Sequence, residues 1–253
     1  MILGSGRMRL FLAASLITTG LAFPSPSNPA DLPDDAVTRR ALDHLIEQYI
    51  RAHPDVIEQS LQALENKRAA EEQQRQQAAL ARHQQELLHD PASPVSGDQS
   101  GDVTVVEFFD YRCGYCKKAA GALTQLQQQD AHVRVVYKDF PILGEASELA
   151  AKAALASVVQ GKHRAFHEAL LGTKQDLTRE TLLQIARDAG LDAERLERDM
   201  AKEEWQQTID RNRRLAKDLG INGTPAFIVG DDLIPGALDL KILQDLVARR
   251  RAR

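Results

Sequence analysis

The stretch Val103-Thr-Val-Val-Glu-Phe-Phe-Asp-Tyr-Arg-Cys-Gly-Tyr-Cys-Lys-Lys118 limits what this chain can fold into more than any other part of it. Val103, Val105, Val106, Phe108 and Phe109 form a nearly unbroken β-branched and aromatic run, the pattern of a strand covered on both faces. Gly114 breaks that run. From Tyr115 onward Cys116, Ala119, Ala120, Leu123 and Leu126 recur at helical spacing. Both cysteines of the chain, Cys113 and Cys116, therefore fall at a strand-to-helix junction.

That position has a chemical consequence. Unpaired amides and the helix dipole favour thiolate over thiol at a helix N-terminus. Cys113 is expected there, the more exposed of the two, with Cys116 one turn in and more buried. Such a pair supplies a nucleophile that attacks a disulfide and a second sulfur that resolves the mixed disulfide. The competing reading is half of a zinc site, but two thiolates fill only half of a tetrahedral shell. His163 and His167 stand in an H-x3-H pattern far outside finger spacing from Cys116. They share a helical stretch with Phe166 and Leu170, where a core or capping histidine is expected. No metal site is predicted, and no cofactor beyond a redox-active disulfide.

With 253 residues the chain has room for one or two domains, and its net charge of −4 gives no reason to propose a nucleic acid partner. Residues 1–22 read as a secretory signal. Arg7 and Arg9 form the positive region, Leu10 to Leu21 the apolar one, and Gly20-Leu21-Ala22 a cleavage site. Export to the periplasm suits cysteines that must meet disulfides in an oxidising compartment. Residues 23–34, rich in proline and serine, read as a disordered spacer.

A helical arm is expected over 35–90. Leu42, Leu45, Ile46, Tyr49 and Ile50 share a face, and Pro54-Asp55 suits the first turn of a second helix. That helix carries Ile57, Leu61 and Leu64, then turns polar through Gln73, Gln74, Gln76 and Gln77. A long helix without a wide apolar stripe bridges solvent or pairs with copies of itself. The apolar face over 35–64 favours a homo-oligomerisation stalk, with packing on the catalytic domain as the rival. Residues 91–102 read as a linker.

The catalytic domain is expected over 103–253. A second strand covers Val133 to Phe140, helical pattern fills about 146–219, and strand pattern returns over Pro225 to Val229. A Gly230-Asp231-Asp232 turn and Leu233-Ile234 make a hairpin, and Leu240, Leu243, Leu246 and Val247 a final helix. Trp205 is expected in the core, and the terminal arginines in a solvated tail. This order is α/β: a thioredoxin fold with an inserted all-helical domain, preceded by a helical arm.

Glu107-Phe-Phe-Asp-Tyr-Arg-Cys-Gly-Tyr-Cys116 resembles the active-site strand and helix of the DsbA-like thiol–disulfide oxidoreductases, and Asn222-Gly-Thr-Pro-Ala-Phe227 resembles their cis-proline loop. With its helical arm the chain is similar to the ScsC/Com1-like branch, some members of which are oligomeric isomerases. The resemblance implies Cys113 as nucleophile, Cys116 as resolving cysteine and Pro225 as the cis-proline. It also implies Thr224 as the residue that tunes redox behaviour and pairs with a substrate strand, and Glu107 as the buried acid that exchanges the Cys116 proton.

Gly114 and Tyr115, expected to face substrate, depart from the Pro-His of the family's strongest oxidants. Each pKa unit of lost thiolate stabilisation is worth about 1.4 kcal/mol, or roughly 30 mV for a two-electron couple. The lean is toward isomerase work, although Arg112, Lys117 and Lys118 offer compensating charge. An isomerase acting on misfolded secreted proteins implies a membrane thiol reductase partner (DsbD/ScsB-like). A dithiol oxidase implies a DsbB-like oxidase instead. A copper-handling protein using both thiolates is the alternative from another class.

Overall fold

The computed structural model describes residues 36–252, so the expected signal and spacer lie outside the described residues. The chain divides into two units, one ending at Leu64 and one running from Glu65. In the first, α1 (Ala36–Ala52) is followed by the opening turns of α2 (Pro54–Arg82), which begins at the expected proline. Leu45, Ile46, Tyr49, Ile57 and Leu61 are all exposed. No residue of α1 is buried among the described residues.

The second unit is built on a sheet of β1 (Val95–Gly97), β2 (Val103–Phe109), β3 (Val133–Asp139), β4 (Ala226–Val229) and β5 (Asp232–Pro235). Its order is β1-β3-β2-β4-β5. β2 and β3 run parallel in the register Val105↔Val135 and Phe109↔Asp139, joined by α4 (Gly114–Gln129). β4 lies antiparallel on the other side of β2 and turns into β5. The insert between β3 and β4 is helical, as expected: α5 (Glu145–Ser157), α6 (His163–Gly172), α7 (Arg179–Asp188), α8 (Ala193–Met200) and α9 (Glu203–Asp218). The chain closes with α10 (Leu240–Arg251).

Strand alternation divides the core into two layers. Val105, Phe109, Val135, Tyr137 and Phe227 pack with α4, α10 and the insert. Val106, Phe108, Val136 and Ile228 pack on the opposite face with Leu215 and Leu219 of α9, and with Leu80 and Leu87. The last two correct the sequence reading. The end of α2 and the short α3 (Gln84–His89), expected in the arm, each supply a buried leucine to one core layer. Two leucines in a glutamine-rich stretch give too thin a stripe to announce that role.

Residues 91–102 are likewise more than a linker. β1 pairs antiparallel with β3, and the Ser96 hydroxyl lies 2.9 Å from that of Tyr137. Lys138, fully buried, donates to Glu86 O at 2.7 Å, to Ser93 Oγ at 2.7 Å and to Asp90 at 3.2 Å, clamping this segment to the sheet. The C-terminal arginines are not all solvated: Arg251 grips Asp102 at 2.7 Å and Asp130 at 3.0 Å. Trp205 is buried as expected and donates to Asp199 O at 2.8 Å.

Candidate active site

β2 ends at Phe109 because the next residue turns the chain. The Asp110 carboxylate accepts from Arg112 N at 2.7 Å, Ser147 Oγ at 2.8 Å, Ile142 N at 2.9 Å and Leu143 N at 3.0 Å. One buried side chain thus fixes the Asp110–Arg112 turn against the loop that follows β3. Reading the sequence assigned Asp110 no role; an aspartate just before a strand-to-helix turn was the available signal. Beside it the Tyr111 hydroxyl meets His167 Nδ1 at 2.9 Å. His163 and His167 are buried side by side among Phe109 and Tyr137, as core histidines.

The turn delivers Cys113 to the N-cap of α4, and Cys116 falls one turn inside. Both are free thiols; Cys113 is 7% exposed and Cys116 wholly buried. Cys113 Sγ donates to Thr224 O at 3.2 Å, and the Thr224–Pro225 peptide bond is cis. The two motifs, 111 residues apart in the chain, thereby form one site. Burial opposes ionisation of Cys113, but hydrogen bonds from the Thr224 side chain and from the amides of Cys116 and Tyr115 prevail and hold its pKa below the usual thiol value. Burial pushes Cys116 far the other way, aided by the negative charge that Glu107 and Cys113 can carry.

Glu107 stands in β2 opposite Tyr137 on one side and Phe227 on the other, fully buried. Neither of its carboxyl oxygens has a hydrogen-bond partner among the described residues. Desolvation, with charge on Cys113 and Asp139, raises its pKa to about 8. It can therefore hold a proton at neutral pH and release it within the physiological range.

Gly114 and Tyr115 lie at the surface in front of the thiols, Tyr115 64% exposed, with Lys118 Nζ 5.4 Å from its ring centre. A Cβ on Gly114 would meet nothing, so packing does not demand glycine there. Two of the three expected compensating cations are engaged elsewhere: Arg112 donates to Leu143 O at 2.7 Å and Lys117 to Thr173 O at 2.5 Å. The cis-proline loop also lines a cavity of about 280 Å³ together with Leu233 and Gln76, a residue of α2 that the sequence reading left in the polar arm.

Residues 104–248 match the family described as DSBA-like thioredoxin domain. A thioredoxin-like oxidoreductase from Silicibacter pomeroyi is 48% identical, with 67% of this chain and 98% of that chain covered and a TM-score of 0.65. ScsC of Proteus mirabilis is 30% identical over 86% of this chain and 97% of that chain, with a TM-score of 0.65. The thiol-disulfide exchange protein alpha-DsbA2 of Wolbachia pipientis is 33% identical over 70% and 96%, with a TM-score of 0.66. Among curated relatives, the Na(+)/H(+) antiporter NhaA 3 of Salinispora tropica is 30% identical over 60% of this chain and 24% of its own length. The chain spans about a quarter of the length of such relatives. No helix among the described residues is long and apolar enough to cross a membrane.

Proposed function

The chain belongs to the DSBA-like thioredoxin family, a family of thiol–disulfide oxidoreductases, and on that footing we propose that it is an exported disulfide isomerase. The observation that carries the redox reading is the meeting of Cys113 Sγ with Thr224 O at 3.2 Å, in front of a buried Cys116 and a buried Glu107. The Cys113 thiolate attacks a substrate disulfide, forming a mixed disulfide and releasing one substrate thiolate. The substrate strand pairs with the backbone at Thr224, against Gly114 and Tyr115. Rearrangement follows when the freed substrate thiolate attacks elsewhere. Alternatively Cys116 gives its proton to Glu107 and attacks Cys113 Sγ. The substrate then leaves reduced and the enzyme carries the Cys113–Cys116 disulfide.

Support for isomerisation comes from the apolar face of α1 and the start of α2. A second copy covering it would set several heads around one substrate and raise the effective thiolate concentration. An isomerase is kept reduced, so a membrane thiol reductase completes the cycle in the periplasm. The depressed pKa of Cys113 favours a second reading, a dithiol oxidase recharged by a membrane oxidase.

Reactivation of a scrambled-disulfide substrate in glutathione buffer separates them. The mature chain is compared with one beginning at Glu65, which retains Leu80, Leu87 and β1. Unscrambling by the longer chain alone is the expected result. Oxidation of reduced substrate by both, with unscrambling by neither, overturns the isomerase reading and leaves the oxidase.

A further inference from the structure

Glu107 is not alone in the layer beneath the thiols. Alternate residues of β3, Val133, Val135 and Tyr137, face the same core layer as Val105 and Phe109 of β2. Asp139 continues that series, level with Phe109 in the parallel register, while Glu107 is level with Tyr137. The two acids are thus diagonal neighbours on adjacent strands, their Cα atoms roughly 8 Å apart from strand spacing and rise. Lys138, between Tyr137 and Asp139, points to the opposite layer and is taken by Asp90. Asp139 is 1% exposed, and neither of its carboxyl oxygens has a hydrogen-bond partner among the described residues. A second unpartnered carboxyl buried this deeply is far harder to ionise than an ordinary surface acid. The bond from Asn212 Nδ2 to Asp139 goes to its backbone carbonyl, at 3.0 Å, and would form with any side chain at this position.

We propose that Asp139 is a positioning residue for the resolving step: it forms with Glu107 a buried carboxyl pair that governs the proton passing between Cys116 and Glu107. The inference rests on the redox reading above. In the reductive direction the Cys116 thiol loses its proton to Glu107, its sulfur bonds to Cys113 Sγ, and the S–S bond to substrate breaks. The departing substrate thiolate takes up a proton from water. In the oxidative direction a substrate thiolate attacks Cys113 Sγ of the disulfide, and the leaving Cys116 thiolate recovers its proton from Glu107. Charge on Asp139 makes Glu107 a stronger base, because two like charges so close in an apolar layer disfavour each other. Asp139 does not touch sulfur. It acts only through Glu107.

Other groups facing the pair do not take over this role. Asp110 is saturated by four donors from its own turn, the following loop and α5. From α6, His167 is bonded to the Tyr111 hydroxyl, and burial holds His163 neutral, with its pKa lowered to about 4. Tyr111 and Tyr137 are raised beyond their usual range by burial, and Cys113 and Cys116 face the pair from α4. Burial, with Asp110 adding to the shift, raises the Asp139 carboxyl well above its ordinary value, and its charge, once formed, raises Glu107 in turn, so the two titrate as a coupled pair.

The test is the pH profile of the resolving step: single-turnover release of a small thiol from its mixed disulfide with Cys113, in the wild type, Glu107→Gln and Asp139→Asn. The expected wild-type profile has an inflection that Glu107→Gln removes and that Asp139→Asn moves down by about one pH unit. An inflection lost in Glu107→Gln but unmoved in Asp139→Asn overturns the pair and leaves Glu107 as sole base. A wild-type profile with no inflection that Glu107→Gln removes overturns both. Should Asp139→Asn not fold, carboxyl 13C titration decides between wild type and Glu107→Gln. The Asp139 carbon is expected to titrate at lower pH once Glu107 is gone, and an unchanged midpoint overturns the pair.

Discussion

Replacing Glu107 with glutamine tests the central acid by stability as well as by rate. The carboxyl is fully buried, and its pKa is raised from the ordinary 4.5 to about 8. Folding therefore favours its protonated form. Below about pH 4.5 the group is neutral in both folded and unfolded chains and contributes nothing to pH dependence. As pH rises, the unfolded chain ionises freely while the folded one resists, and stability is lost until the folded group ionises near pH 8.

Each pH unit across that window costs about 1.4 kcal/mol, so the deficit reaches about 3 kcal/mol at pH 7 and levels near 5 kcal/mol above pH 8. Glutamine removes the titration. Relative to the wild type, reduced Glu107→Gln is expected to gain about 3 kcal/mol between pH 4.5 and pH 7, a rise of about 6–12 °C in melting temperature. The buried amide adds an offset that does not vary with pH, so the trend carries the test. Urea unfolding of both proteins at several pH values reads it. A difference in stability that stays constant from pH 4.5 to pH 8 refutes the elevated carboxyl, and with it the proton exchange with Cys116. The same variant is expected to resolve mixed disulfides more slowly, so stability and activity move in opposite directions.

Cys116→Ser is expected to retain attack by Cys113 and to accumulate mixed disulfides with substrate, whereas Cys113→Ser accumulates none; mass spectrometry after quenching with acid distinguishes them. Tyr115→His places an imidazole in front of the thiols and is expected to lower the Cys113 pKa. Each unit makes the couple more oxidising by roughly 30 mV, and an unchanged equilibrium with glutathione would count against the thiolate argument. Lys138→Met leaves Asp90 without its buried partner and is expected to cost about 3–5 kcal/mol; Asp90→Asn in the same background should recover part of that loss in a double-mutant cycle.

Much of this site is legible in the sequence. The apolar run from Val103 to Phe109 is long, β-branched and bounded by turn chemistry, so the strand and the helix after Cys113 follow from local preference alone. The burial of Glu107 follows from the same run, because a strand covered on both faces has no solvent side for a carboxylate. The helical insert and the hairpin announced themselves by periodicity and by glycines at their ends.

What periodicity does not carry is long-range contact. β1 has only three residues, too few for any alternation to stand out, and exists because β3 offers it an edge. Leu80 and Leu87 look like stray apolar residues in a polar helix until the open face of the sheet claims them. Whether Arg112 and Lys117 reach the thiolate depended on carbonyls far along the chain, and those carbonyls won them. The sequence by itself determined the chemistry, two thiols at a helix start, since that rests on residues within one turn of each other. Tertiary structure alone decided which groups surround those thiols. It brought Thr224 to Cys113 and laid Asp139 beside Glu107, because sheet pairing joins residues that no local pattern relates.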